Sequence, residues 1–178
     1  MAAYNLIATT TVGSGGASTI SFASIPQTFT DLKVVLYSRS TAGGSVAYSI
    51  FMKMNNLTTS IYSQRALEGS GSGGAASSFS QSGVDTAVRA GIINGTGSTA
   101  NVFSNTEIYI PNYTGSNQKS VSIETVTETN ANTIYANLIA YLVASTAAIT
   151  DLTFSTEPAG GVSFAQYSSA SLYGIKNS

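Results

Sequence analysis

"VAYSIFMKMNNLTTSIYSQRA" occupies residues 46–66, and its period decides the fold class. Val46, Tyr48, Ile50, Met52 and Met54 recur at every second position. Side chains that alternate with a period of two belong to an extended strand. Asn55 and Asn56 then interrupt the pattern. Asparagine tolerates positive φ better than most residues, and a two-residue primed turn needs it at both central positions. The stretch reads as a tight hairpin that sets Met54 opposite Leu57 and Ile50 opposite Ile61.

The same alternation spreads outward in both directions. "DLKVVLYSRS" (31–40) places Leu32, Val34 and Leu36 on one face, with Lys33, Tyr37 and Arg39 largely on the other. Further strands are expected at 4–11, 18–23, 84–93, 101–110, 119–128, 134–145, 149–155 and 162–175. Turn chemistry separates them: "GSGGA" (13–17), "STAGG" (40–44), "NGTGST" (94–99), "NYTGSN" (112–117) and "EPAGG" (157–161). "IYANLIAYLVA" (134–144) is the most apolar stretch. It is about half the ~20 residues a membrane span requires, and Asn137 interrupts it; it reads as a central strand. No window of about a dozen residues shows a capped helical stripe. The expected fold is all-β: a single antiparallel β-sandwich, jelly-roll-like, forming one domain over residues 1–178.

Charged residues make up 8% of the chain, against roughly 25% in ordinary soluble domains. Hydrophobic residues stand at 43%, so the polarity comes from Ser, Thr, Asn and Gln. Seven Lys and Arg are scattered along a chain of net charge −1. That is too few for a basic stripe along a phosphate backbone, so no nucleic-acid partner is expected. The opening "MAAYNLIATTTVG" lacks a basic n-region and a long apolar core, and no signal peptide or membrane partner is expected. A surface with so few charges is poorly protected against self-association. The expected working state is a homo-oligomer, with a trimer as the leading arrangement. The intersubunit candidates are the Gly/Ser-rich stretch at about 67–83, read as a long loop, and Leu172 and Tyr173 in the terminal strand. At least one of Leu172 and Tyr173 is expected to be core.

Gly69, Gly71 and Gly74 in "EGSGSGGAAS" (68–77) spell G-x-G-x-x-G. That fingerprint holds a dinucleotide only where a helix opens at its last glycine and an acidic residue lies about 20 residues on. "AASSFSQSG" is a poor helix opening, Asp85 falls too early, and no G-K-[ST] ending is present, so no cofactor is expected. His and Cys are absent, which removes the usual nucleophile pairs and imidazole ligands. Glu124 and Glu128 share a strand face, but four residues of strand separate them by roughly 13 Å. Glycosidase carboxylates lie about 5–9.5 Å apart. Glu107 approaches Glu124 only if a hairpin sets the right register. These carboxylates read as solvated strand faces, and neither catalytic residues nor a metal site is expected. Asp31 reads as a turn residue at a strand start. The sequons at Asn56, Asn94 and Asn112 are chance matches in a Ser/Thr-rich chain. Ten Tyr and seven Phe supply amphipathic contact area suited to protein or sugar surfaces.

Three stretches carry a resemblance: residues 4–40, "SNTEIYIPNYTGSNQKSVSIETVTE" (104–128) and "FAQYSSASLYGIK" (164–176). Together they resemble small virion structural proteins of tailed bacteriophages, particularly those of marine cyanobacterial and related hosts. The resemblance implies a β-rich accessory subunit of the particle, trimeric, such as a capsid decoration (cement) protein or part of a fibre. It implies the major capsid protein or other virion proteins as partners, and the virion, assembled in the host cytoplasm, as the location. It transfers no catalytic residue. The competing expectations are a tail-fibre or receptor-binding head whose tyrosines grip glycan, and a glycan-cleaving enzyme, for which the sequence shows no close carboxylate pair.

Overall fold

A computed structural model describes residues 3–71, 76–84, 88–129, 134–156 and 162–176. Among these described residues twelve strands run in order: β1 (Ala3–Thr11), β2 (Thr19–Phe22), β3 (Asp31–Ser38), β4 (Ala47–Met54), β5 (Tyr62–Ser70), β6 (Ser77–Val84), β7 (Val88–Asn94), β8 (Ser104–Ile110), β9 (Lys119–Thr127), β10 (Tyr135–Val143), β11 (Leu152–Thr156) and β12 (Ser169–Lys176). No helix occurs among the described residues. The strands form two packed sheets, both antiparallel: a β-sandwich, as the alternation predicts.

One sheet has eight strands in the order β1-β12-β3-β8-β9-β10-β5-β6, and the other has four, β2-β11-β4-β7. Within these, β1-β12-β3-β8 and β2-β11-β4-β7 follow the eight-strand jelly-roll order. The remaining strands are two insertions, β5–β6 between β4 and β7, and β9–β10 between β8 and β11. They line up beyond β8 and lengthen one sheet without a matching extension of the other.

The core lies where the two sheets overlap. Leu32, Val34 and Leu36 of β3, Ile108 and Ile110 of β8, and Ile139 and Tyr141 of β10 are buried from the large sheet. Ile50, Met52 and Met54 of β4, and Leu152 and Phe154 of β11, meet them from the small one. Each such side chain contributes about 1.5–3 kcal/mol by leaving water. Their alternation in sequence is the physical reason each strand presents one face inward.

Three expectations change. Asn55 and Asn56 do adopt positive φ, 52° and 51°, and the Leu57 amide donates to the Met54 carbonyl at 3.1 Å. Yet β4 and β5 do not pair. Met54 lies opposite Leu152 of β11, and β5 pairs with β10 and β6 in the other sheet. The primed turn is a corner that carries the chain from one layer to the other. The stretch at 67–83 is not a long loop: β5 runs through Ser70 and β6 begins at Ser77, with Leu67 opposite Ser78. The single strand expected at 84–93 is split, with β6 ending at Val84 in the large sheet and β7 starting at Val88 in the small one.

Candidate functional site on the open face of the large sheet

Register fixes which residues share the outward face of the eight-stranded sheet. One row runs Leu6, Tyr173, Lys33, Tyr109, Ser122, Ala140, Arg65 and Ser80 from β1 to β6. The next runs Ser171, Val35, Glu107, Glu124, Leu138, Leu67 and Ser78. All of these are exposed or half-buried. Of the eight exposed large hydrophobic residues among those described, seven lie on this face: Tyr4, Leu6, Tyr37, Leu67, Tyr109, Val126 and Leu138. The eighth is Tyr167. A lone exposed leucine is ordinary, whereas a contiguous apolar face marks a place of contact.

The half built on β1, β12, β3 and β8 is aromatic and carries an ion pair. Lys33 Nζ lies 2.7 Å from Glu107 Oε2 and 5.8 Å from the centre of the Tyr4 ring. The Tyr109 hydroxyl donates to Asp31 Oδ2 at 2.8 Å, and the Asn112 amide donates to Asp31 Oδ1 at 2.8 Å. Asp31 does stand at the start of β3, but as a buried acceptor that ties two segments together rather than as a turn residue. Its hydrogen bond, together with burial, raises the Tyr109 phenol above its ordinary value. Tyr37 stacks on Phe103 at 4.6 Å between ring centres.

The β8–β9 hairpin sets Glu107 directly opposite Glu124, the approach that sequence alone left open. Cross-strand pairs hold their Cβ atoms about 4.5–5.5 Å apart, so the two carboxylates are neighbours. Lys33 engages one of them. With Tyr4, Tyr109 and Ser122 they line a shallow cleft of about 200 Å³. Glu128 follows the end of β9 on the same exposed side and takes no part in this cleft.

The Lys33–Glu107 hydrogen bond raises the lysine above its ordinary value. A raised folded-state value means that the stabilisation is complete below the unfolded lysine value, about 10.4, and is lost as pH rises through the folded one. Glu107→Gln is expected to cost under about 1 kcal/mol near neutral pH, because the pair is open to water. Urea midpoints of variant and wild type should converge above the raised lysine value; a gap that persists there would assign the cost to packing instead.

A second polar cluster lies between the sheets under the insertions. The register of β4 with β7 shifts after Ile50, so that Gly91 pairs with Ile50 and Arg89 with Phe51. This bulge turns Arg89 toward β5, where it sits 2.8 Å from Glu68 Oε2 and 3.9 Å from the centre of the Phe79 ring. Gly91 has φ +155°, and a Cβ there would press on the Thr106 and Thr125 hydroxyls at 3.1 and 3.2 Å. Asn137, opposite Glu68, is buried with neither amide atom partnered. The cleft beside the ion pair, lined also by Tyr48 and Tyr135, has about 200 Å³, room for a few waters at about 30 Å³ each.

Leu172 is fully buried in the core of the sandwich, the core role expected of at least one of the pair. Tyr173 is half-buried on the open face between Leu6 and Lys33. Gly69 lies within β5, and the Gly71 amide donates to the Ile134 carbonyl at 3.1 Å. Gly74 and Asp85 fall outside the described residues. The described part of the G-x-G-x-x-G stretch thus closes β5, and the next described element is its hairpin partner β6, a strand. The open face itself escaped sequence reading. The exposed members Leu67, Val126 and Leu138 fall at the polar phase of their strands' alternation, and that mismatch was the signal for it. Neither a protein-family model nor a curated protein sequence matches this chain.

Proposed function

We propose that the chain is a non-enzymatic structural subunit of a tailed-bacteriophage particle, a decoration subunit that binds the outer capsid surface and reinforces it. One observation carries this reading: an entire sheet face is open and holds seven of the eight exposed large hydrophobic residues among those described. Such a face is suited to broad, shallow contact with another protein. Its Tyr4, Tyr37, Tyr109 and Tyr173 supply rigid area with a polar tip, the chemistry favoured at protein interfaces. The low charge of the chain and the resemblance of residues 4–40, 104–128 and 164–176 to small phage virion proteins point the same way. A second reading draws on the cleft of Tyr4, Lys33, Glu107, Tyr109 and Glu124. Aromatic rings beside paired charges also suit a sugar, which would make the chain a receptor-binding head at the tail.

Electron microscopy of intact particles with gold-labelled antibody separates the two. Label repeated over the head is the expected result. Label confined to the tail tip overturns the capsid reading in favour of the glycan one, and particles that carry no label overturn both.

A further inference from the structure

The open face has two halves of different chemistry. On β9, β10, β5 and β6, the strands inserted into the jelly-roll order, the outward residues are chiefly aliphatic and small. Leu67 is 60% exposed, Val126 54% and Leu138 50%. Leu138 lies directly opposite Leu67 on one side and Glu124 on the other. Leu67 and Leu138, with Ala140, Arg65, Ser78 and Ser80, line a shallow apolar groove of about 490 Å³. The edge strand β6, "SSFSQSGV", carries no charge and no proline, the usual guards against pairing with another chain.

We infer that this half of the face packs against the same half of a second copy of the chain. Two features select a copy over an unrelated partner. The first is charge. Among the described residues, the four strands of the patch present one cation outward, Arg65, whose hydrogen bonds go to the Gln64 and Gln81 carbonyls, and one anion, Glu124, while Glu128 lies beyond the end of β9. Lys33 takes Glu107; Glu124 lies within the field of the same lysine but makes no hydrogen bond or ion pair among the described residues. One charge of each sign outside any direct ion pair on a single patch is self-complementary. A two-fold axis brings Arg65 of each copy to Glu124 of the other, with no like charges facing. The second feature is area. Four strands at about 4.8 Å spacing and nine residues at about 3.3 Å rise span about 570 Å². Two such patches meeting bury about 1,150 Å² in total, close to the lower bound for specific stable interfaces. The inserted strands thereby acquire a purpose, since they widen one sheet beyond what the opposite layer covers.

The contact is independent of where the protein resides. Solution mass tests it and particle microscopy tests the proposed function, so each can fail alone. Light scattering and sedimentation of the full chain at about 1–100 μM are expected to give the mass of two chains. Leu138→Lys, which sets a cation beside Glu124 without disturbing the inward face, should weaken association at least tenfold, leave the far-UV spectrum unchanged and lower melting only by the concentration-dependent share that association supplies. Leu67→Lys serves as the second variant if the first does not fold. Tyr37→Lys, on the aromatic half, should leave the mass at two chains. Arg65→Glu should weaken pairing about tenfold, and adding Glu124→Arg should restore it. A monomer at 100 μM, a three-chain mass as the resemblance to phage virion proteins would lead one to expect, or loss of association in Tyr37→Lys alone would overturn the inference.

Discussion

Replacing Tyr141 by alanine should lower the unfolding free energy by about 3–5 kcal/mol, the range for deleting a large buried aromatic side chain. Tyr141 is 1% exposed on β10, and its ring meets Tyr62 edge-on at 6.0 Å. Its hydroxyl crosses the sandwich and donates to the Met52 carbonyl of β4 at 2.6 Å. The side chain therefore does two things: it fills the space between the layers and it fastens an inserted strand to the small sheet. Tyr141→Phe separates them. It keeps the ring and removes the hydrogen bond, so it should cost only about 0.5–1.5 kcal/mol. Denaturant unfolding at constant slope measures both. Domains of this kind have about 5–15 kcal/mol in total, so the alanine variant loses a large share and its population of loosened molecules rises steeply. If phenylalanine costs as much as alanine, the hydroxyl and not the packing holds β10. The open face would also suffer, since Leu138 lies three residues along the same strand and the next outward residue, Ala140, adjoins Tyr141.

What the sequence shows clearly is the phase of each strand. What it hides is the partner. Leu32, Val34 and Leu36 alternate because one side of β3 meets the core, and that much follows from a period of two. The same pattern says nothing of which sheet a strand joins, because both layers need one apolar face. Hence the turn at Asn55–Asn56 was legible and the ladder across it was not. Residues 57–61 carry the chain across a gap of about 10 Å between layers, and the hydroxyls of Thr58, Thr59 and Ser60 there resemble those of any polar strand face. β6 was hidden for another reason. Its serines have little intrinsic strand preference, and pairing with β5 supplies the missing stability through the backbone. In hindsight Phe79, half-buried opposite Ala66, is the apolar mark in its middle. The jelly-roll order was expected as a class. The lopsided widening to eight strands was not, because it depends on where two separated insertions meet in space.

The corner offers a comparison between two identical neighbours. Asn55 and Asn56 have nearly the same positive φ, so the backbone cost of replacing either by alanine is similar, about 1–2 kcal/mol for a left-handed L-residue relative to its preferred conformation and less relative to asparagine. Their side chains differ. Asn56 is exposed. The Asn55 amide donates to the Ala148 carbonyl at 2.7 Å, and its oxygen accepts from the Thr150 and Asp151 amides at 2.8 and 3.2 Å. It thereby ties the β4 corner to the segment that enters β11, the neighbour of β4 in the small sheet. Each bond contributes about 0.5–1.5 kcal/mol net. Asn55→Ala is therefore expected to cost about 2–4 kcal/mol, and Asn56→Ala about 1 kcal/mol or less. At about 2–4 °C per kcal/mol for a domain of this size, the melting temperature should fall by about 5–15 °C in the first and by no more than about 4 °C in the second. Glycine sharpens the contrast because it accepts positive φ without strain. Asn56→Gly should be close to neutral, whereas Asn55→Gly should retain most of the alanine loss. Equal losses at the two positions would mean that backbone strain alone governs the corner and that the Asn55 amide does not hold the two strands of the small sheet together.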